Sequence, residues 1–139
     1  MANSQDTSVL PNHRNGAPTV IISETDIFGN ILFANDAFCE ISGYSRNELI
    51  GAPHNIIRHP SMPRELFRQM WHTIQKGEIF RGIIMNKHKD GQHYWVNTTI
   101  LPVFENSKII RYMGGRHLIK DNELAERLFK TQATNSGWL

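Results

Sequence analysis

The chain of 139 residues carries a single cysteine, Cys39. One thiol can form neither an internal disulfide nor a cysteine-based metal site, which fits a reducing compartment. No apolar run approaches the roughly 18 residues of a membrane span. The opening residues, MANSQDTSVLPNHRNG, have neither the charged start nor the apolar stretch of a secretory signal. The expectation is a cytoplasmic domain with no membrane insertion of its own, any anchor of a parent protein lying outside these residues. Neither sign of charge is in much surplus: 15 basic against 13 acidic side chains give +2. So small and scattered an excess excludes a nucleic-acid footprint, and no contact with nucleic acid is expected. The seven histidines show no His-x-x-x-His beside a carboxylate on an expected helix, which argues against a zinc or haem site. Internal repeats and low-complexity tracts are also missing.

What is present suits one core: 40% of the residues are hydrophobic, enough for a single domain of this length. Residues 1–18, rich in Asn, Ser, Pro and Gly, read as a flexible leader. A domain is expected over residues 19–120, and residues 121–139 read as a helix and tail leading to a signalling region outside the chain. Residues 20–23 and 31–34 are β-branched and apolar around a turn at Gly29, a hairpin. Asn35 or Asp36 caps a helix to Ser42, with Ala37, Phe38 and Ile41 at helical spacing, and Gly43 ends it. Ser45 with Glu48 three positions on forms a capping box for a second helical turn. Over residues 63–76, Leu66, Phe67, Met70, Trp71 and Ile74 mark an amphipathic helix closed by Gly77. Strands are expected over residues 79–87, 93–104 and 109–118, joined by turns at Lys89-Asp90-Gly91 and Asn106-Ser107-Lys108. Asp121 caps a last helix over residues 121–130, with Leu124 and Leu128 on one side. The fold class is α+β: an antiparallel sheet with its helices grouped in one insertion and covering one face, leaving room for a cavity between helix and sheet.

The stretch GAPHNIIRHPSMP, residues 51–63, sets the chemistry. His54, Asn55, Arg58 and His59 surround Ile56 and Ile57, and Pro53, Pro60 and Pro63 break the segment into short turns. Such a segment either lines a binding site or is a surface loop with solvated cations, and composition leaves both open.

These residues carry a family likeness. FANDAFCEISGYSRNELIG, PHNIIRHPSMP, GIIMNKHKDG and HYWVNTTILPV together resemble a PAS domain, and in particular the sensory PAS domain of bacterial aerotaxis receptors, over about residues 20–120. Asn-x-x-Phe and Gly-Tyr are moderately specific signals. His-Asn-x-x-Arg-His-Pro, Met-Pro and Asn-x-x-Lys-x-Gly-x-x-Tyr-Trp-Val are much more so. The resemblance implies a five-stranded sheet in the order 2-1-5-4-3, non-covalent FAD, and redox signalling to a chemoreceptor region outside this chain, without enzymatic activity. It ties flavin retention to Arg58-His59. Two departures stand out: Ser61 replaces a residue that is often acidic, so Arg58 needs another partner, and Phe80 replaces a common Trp, a smaller wall without the indole donor. Light-sensing relatives need a cysteine where this chain has His54, so adduct photochemistry is not expected.

The chemistry of a flavin gives the candidate site its roles. The ring needs apolar walls, for which Trp71 and Phe80 are candidates; its polar edge needs an amide, such as Asn86; and phosphate or adenine needs Arg58 and His59. His54, Asn35 and Tyr94, from the same motifs, complete the set. Trp71 as plain core and Asn86 as a surface amide remain alternatives at this level. So does a ligand-free PAS module that serves as a homodimer interface.

Overall fold

The structure, a computed structural model, describes residues 19–138; the leader expected over residues 1–18 lies outside them. In chain order the elements are β1 (Val20–Thr25), β2 (Ile31–Ala34), α1 (Asp36–Ser42), α2 (Arg46–Leu49), a 3-10 turn (His54–Ile57), α3 (Arg64–Gln75), β3 (Phe80–Lys87), β4 (His93–Glu105), β5 (Lys108–Ile119) and α4 (Asn122–Ser136). The strands form one antiparallel sheet in the order β2-β1-β5-β4-β3, as the resemblance implied.

Local chemistry accounts for most boundaries. Asn35 caps α1 by accepting the N–H of Phe38, and Gly43 closes it in the left-handed region at φ 80°. Ser45 and Glu48 form both halves of the capping box on α2. Asn106 and Ser107 both take positive φ, 52° and 67°, in a two-residue hairpin turn that leaves Lys108 paired with Glu105. Pro102 lies inside β4 and is buried. β4 pairs with β3 only as far as Ile100, opposite Phe80, so on that side the missing N–H of Pro102 breaks no ladder bond.

Alternation along the strands separates two faces. Inward-facing Ile21, Ile84, Val96 and Tyr112 meet Phe38, Ile41, Leu49, Leu66 and Ile74 from the helices between β2 and β3 in one core. Trp95 points the other way and meets Phe129 of α4, ring centroids 5.6 Å apart. The short helices cover the inner face as expected, and the last helix in addition covers part of the second. The expected length of that helix is corrected. α4 runs to Ser136, beyond the expected Lys130, and buries Ala125, Phe129 and Ala133. Its second half has weak hydrophobic periodicity and is held by tertiary contacts instead. The Gln132 side-chain amide accepts the N–H of Ile83 at 2.7 Å and donates to the Ile83 carbonyl at 3.0 Å, standing in for a neighbouring strand.

Candidate functional site

Between the helices and the inner face of the sheet lies a cavity of about 310 Å³. The sheet contributes Ser23, Thr25, Ile84, Asn86, Thr98, Ile100, Tyr112, Gly114 and Arg116. Phe67, Met70, Trp71 and Ile74 come from α3, while Phe28, Gly29, Pro53, His54, Asn55, Ile57 and Arg58 come from the turn and the polar loop. The wall is largely apolar, and among the described residues it contains no carboxylate.

Four of the eight candidate residues meet here. Trp71 stands edge-on to Tyr112, centroids 5.7 Å apart, and Asn86 is 6% exposed on β3. Arg58 pairs its backbone with Asn86 in an isolated antiparallel bridge, and its guanidinium sits 3.9 Å over the ring of Phe67. A π face thus replaces the acidic partner that Ser61 cannot supply. His54 stacks on Phe38, centroids 5.6 Å apart.

The other four candidates do not line the cavity, for separate physical reasons. Asn35 is engaged by backbone: its Oδ1 accepts from Ile22 and Phe38 and its Nδ2 donates to the Val20 carbonyl, joining α1 to β1. Tyr94 is buried opposite Asn86 on the neighbouring strand, and burial drives its pKa upward. His59 turns outward, its Nδ1 accepting from the N–H of Ser61 and its ring edge-on to His93. Partial burial, with His93 and Lys87 nearby, holds its pKa below the usual imidazole value. Phe80 is in the core, with its ring over Gly82, where an added Cβ would come within 2.9 Å of it.

Arg116 is the residue that reading the sequence missed. It is 4% exposed and donates through Nη2 to Ser23 Oγ and His54 Nε2, both at 2.9 Å. Its side chain folds back along β5 over Gly114, where an added Cβ would stand 2.7 Å from Nη2. Burial lowers its pKa to about 10, which leaves it charged at neutral pH. Among the described residues no carboxylate pairs with it, and its Nη1 has no hydrogen-bond partner. Thr98 Oγ1, on the same wall, is also without a partner. A buried cation left unpaired costs several kcal/mol. The signal available in the sequence was a Gly at i−2 from an Arg of the same parity as Tyr112 on a strand.

Ser23 and His54, 2.9 Å apart, have the atoms of a nucleophile and its base. They do not have the chemistry. Burial first, and then the charge of Arg116, hold His54 down to about 3, so it cannot take a proton from a hydroxyl near neutral pH. The ring's hydrogen-bond partners among the described residues are Ser23 and Arg116, with no carboxylate to orient it. Among the described residues no group of His, Cys, Asp or Glu is arranged to hold a metal ion. Cys39, half-buried on α1, does not line the cavity. The donors that are present suit a planar ligand with an acceptor-rich edge: Arg116 and Thr98 offer two unused polar groups and Asn86 an amide between apolar walls.

Comparison with known proteins agrees with the architecture. Residues 31–115 match the family described as the PAS fold. The aerotaxis receptor of Escherichia coli (strain K12) is 45% identical over 121 residues, which is 86% of this chain and 24% of the receptor. The nitrogen fixation regulatory protein of Klebsiella oxytoca is 38% identical over 85 residues, 61% of this chain and 17% of that protein. The chain therefore spans about a quarter of the receptor's length. Among solved structures, the dark state of the blue-light photoreceptor Aureochrome1 LOV superposes with a TM-score of 0.75 at 19% identity, covering 83% of this chain and 86% of that one. A light-oxygen-voltage domain studied with a flavin analogue gives 0.72 at 18%, covering 88% and 91%. At such identities these two structures speak to the fold alone.

Proposed function

The chain belongs to the PAS-fold family as a sensory domain homologous to the aerotaxis receptor, and from that premise we propose that its cavity binds FAD without covalent attachment and reports the redox state of the flavin. The observation that carries this reading is the buried Arg116 with a free N–H, facing a carboxylate-free cavity beside Asn86 and Thr98. A group buried in that form needs a ligand acceptor to offset its desolvation.

When bound, the flavin supplies the redox chemistry. The chain's own residues hold it and sense its charge. Trp71, Ile84 and Ile100 provide apolar walls that exclude water, and Asn86 presents an amide able to donate or accept. Arg116 favours whichever ligand state carries more negative charge on the acceptor facing it. His54 keeps Arg116 in place and supplies no proton, since its own pKa is about 3. Asn86 pairs across the strands with Tyr94 and is bridged through its backbone to Arg58, so a change of hydrogen-bond partner at its amide is felt in both β4 and the polar loop. The relatives are sensory proteins, and the inert Ser23–His54 pair supports reading this domain as a sensor and not an enzyme. FAD, a second copy of the chain and a chemoreceptor signalling region outside it are the partners this reading implies, with the domain on the cytoplasmic side.

An absorption spectrum of the purified protein, before and after incubation with FAD, is the test. Flavin bands that travel with the protein and bleach under dithionite support the reading. A colourless protein that takes up no FAD overturns it, and leaves the ligand-free interaction module.

A further inference from the structure

We propose that Phe28 is the stacking platform for the second ring system of a dinucleotide, and that it makes the site select FAD over flavin mononucleotide; the proposal rests on the flavin reading above. At about 310 Å³ the cavity lies at the low end of the roughly 300–1,000 Å³ of small-molecule sites. It can enclose one fused ring system, and the rest of a dinucleotide has to leave across the rim. Phe28 lines that rim and is 80% exposed, more than any other large apolar side chain among the described residues.

Its backbone is fixed. Asp26 Oδ1 accepts the N–H groups of Phe28 and Asn30, the Asp26 carbonyl accepts the N–H of Gly29, and the Asn30 carbonyl accepts the N–H of Asp26. Gly29 packs closely against Trp71, since an added Cβ would stand 3.1 Å from the indole. The ring is thus presented to solvent from a turn that needs no further ordering to bind a flat partner. Arg58 lines the same cavity, and among the described residues no carboxylate pairs with it. A guanidinium suits a phosphate, which both flavin nucleotides carry. An aromatic plate suits a base, which only the dinucleotide adds. Arg58 therefore serves both ligands, and Phe28 tells them apart.

The test is a titration of the apo-protein with FAD and with flavin mononucleotide, followed by quenching of flavin fluorescence, for the parent chain, Phe28→Ser and Phe28→Trp. The parent should bind FAD about tenfold more tightly, the size of one base–aromatic stack. Phe28→Ser should bring FAD down to the level of the mononucleotide while leaving the latter unchanged, and Phe28→Trp should keep the preference. Equal affinities in the parent, or an equal loss of both ligands in Phe28→Ser, overturn the platform and leave the flavin reading standing. Binding of neither flavin by the parent overturns both. Sedimentation of the same samples decides the remaining case: if Phe28→Ser converts a dimer to a monomer with the FAD preference intact, the ring belongs to a contact between copies and the proposal fails.

Discussion

Arg116 Nη2 stands 2.9 Å from His54 Nε2, so a buried guanidinium fixes the tautomer of a histidine that lies 62 positions away in the chain. With Nε2 accepting, the ring proton is on Nδ1 and the imidazole is neutral. The pair joins β5 to the polar loop and puts a buried positive charge on the cavity wall.

The first prediction concerns that charge. Arg116→Met keeps length and volume but removes a cation that is desolvated without a carboxylate. The melting temperature of the flavin-free protein should hold or rise, whereas flavin occupancy should fall and the midpoint potential of any retained flavin should become more negative. Paired melts with and without flavin, together with a redox titration, check it. A lower melting temperature with unchanged occupancy and potential would show that Arg116 is structural only.

Stability should also depend on pH through His54. Its folded pKa is depressed to about 3, while the unfolded ring titrates near 6.5. Above the unfolded value the contribution is fully present. As pH falls from about 6.5 towards 3 the unfolded state takes up a proton that the folded state refuses, and stability declines by up to about 1.4 kcal/mol per pH unit. His54→Gln should flatten that slope between pH 6.5 and 5, above most carboxylate titrations. Urea midpoints at several pH values would reveal parallel curves if His54 were already protonated in the folded state.

Gly114→Ala tests how Arg116 is placed. The new methyl would start 2.7 Å from Nη2, and the guanidinium would have to leave Ser23 and His54. Flavin binding should drop by an order of magnitude or more while the secondary structure stays native, as read by titration and circular dichroism. By contrast, Gly115→Ala points an added Cβ towards Val20 at 3.9 Å, an ordinary contact, and should bind flavin normally.

Arg58→Ala should lower flavin occupancy more than stability, because the guanidinium rests on Phe67 with no ion-pair partner among the described residues. Trp71→Ala is a poorer probe, since truncating a packed aromatic costs about 3 to 5 kcal/mol and unfolding would release flavin by itself. Equal flavin content in Arg58→Ala and the parent, at equal melting temperature, would remove Arg58 from the site.

How much of this was legible in the sequence depended on whether the cause was local. The Asn35 and Asp121 caps, the Ser45–Glu48 box and the Asn106-Ser107 turn are decided by neighbours within a few residues, and the structure has them where the sequence places them. Arg116 was invisible because its meaning comes from Ser23 and His54, brought together only by the pairing of β1 with β5 and by the polar loop folding over them. Asn35 misled in the opposite way. Its amide, a candidate for a ligand, makes three hydrogen bonds that tie α1 to β1. The second half of α4 was hidden for a similar reason, since Gln132 is polar at a buried edge and only Ile83 explains it.

Reduction of a bound flavin should alter amide exchange in α4 as well as around the cavity, because β5 leads from Arg116 to Ile119 and α4 begins at Asn122. Exchange measured anaerobically on oxidised and dithionite-reduced protein would place the output elsewhere if α4 were unchanged at full reduction. Gln132→Leu should speed exchange in α4 and at Ile83 even without flavin, as it removes two hydrogen bonds worth about 0.5–1.5 kcal/mol each.

The Gln132 amide has one more effect, on what the sheet can do to other molecules. β3 is an edge strand, and an uncovered edge invites strand addition by a second chain, the first step of intermolecular sheet growth. Here the outward N–H and C=O of Ile83 are occupied by Gln132, the N–H of Met85 points to the sulfur of Met62, and the polar loop bridges Asn86. A chain shortened before residue 132 would lose the first of these guards and present Ile83 to solvent with its ladder groups open. Such a truncation would keep its cavity residues and still be prone to self-association through β3.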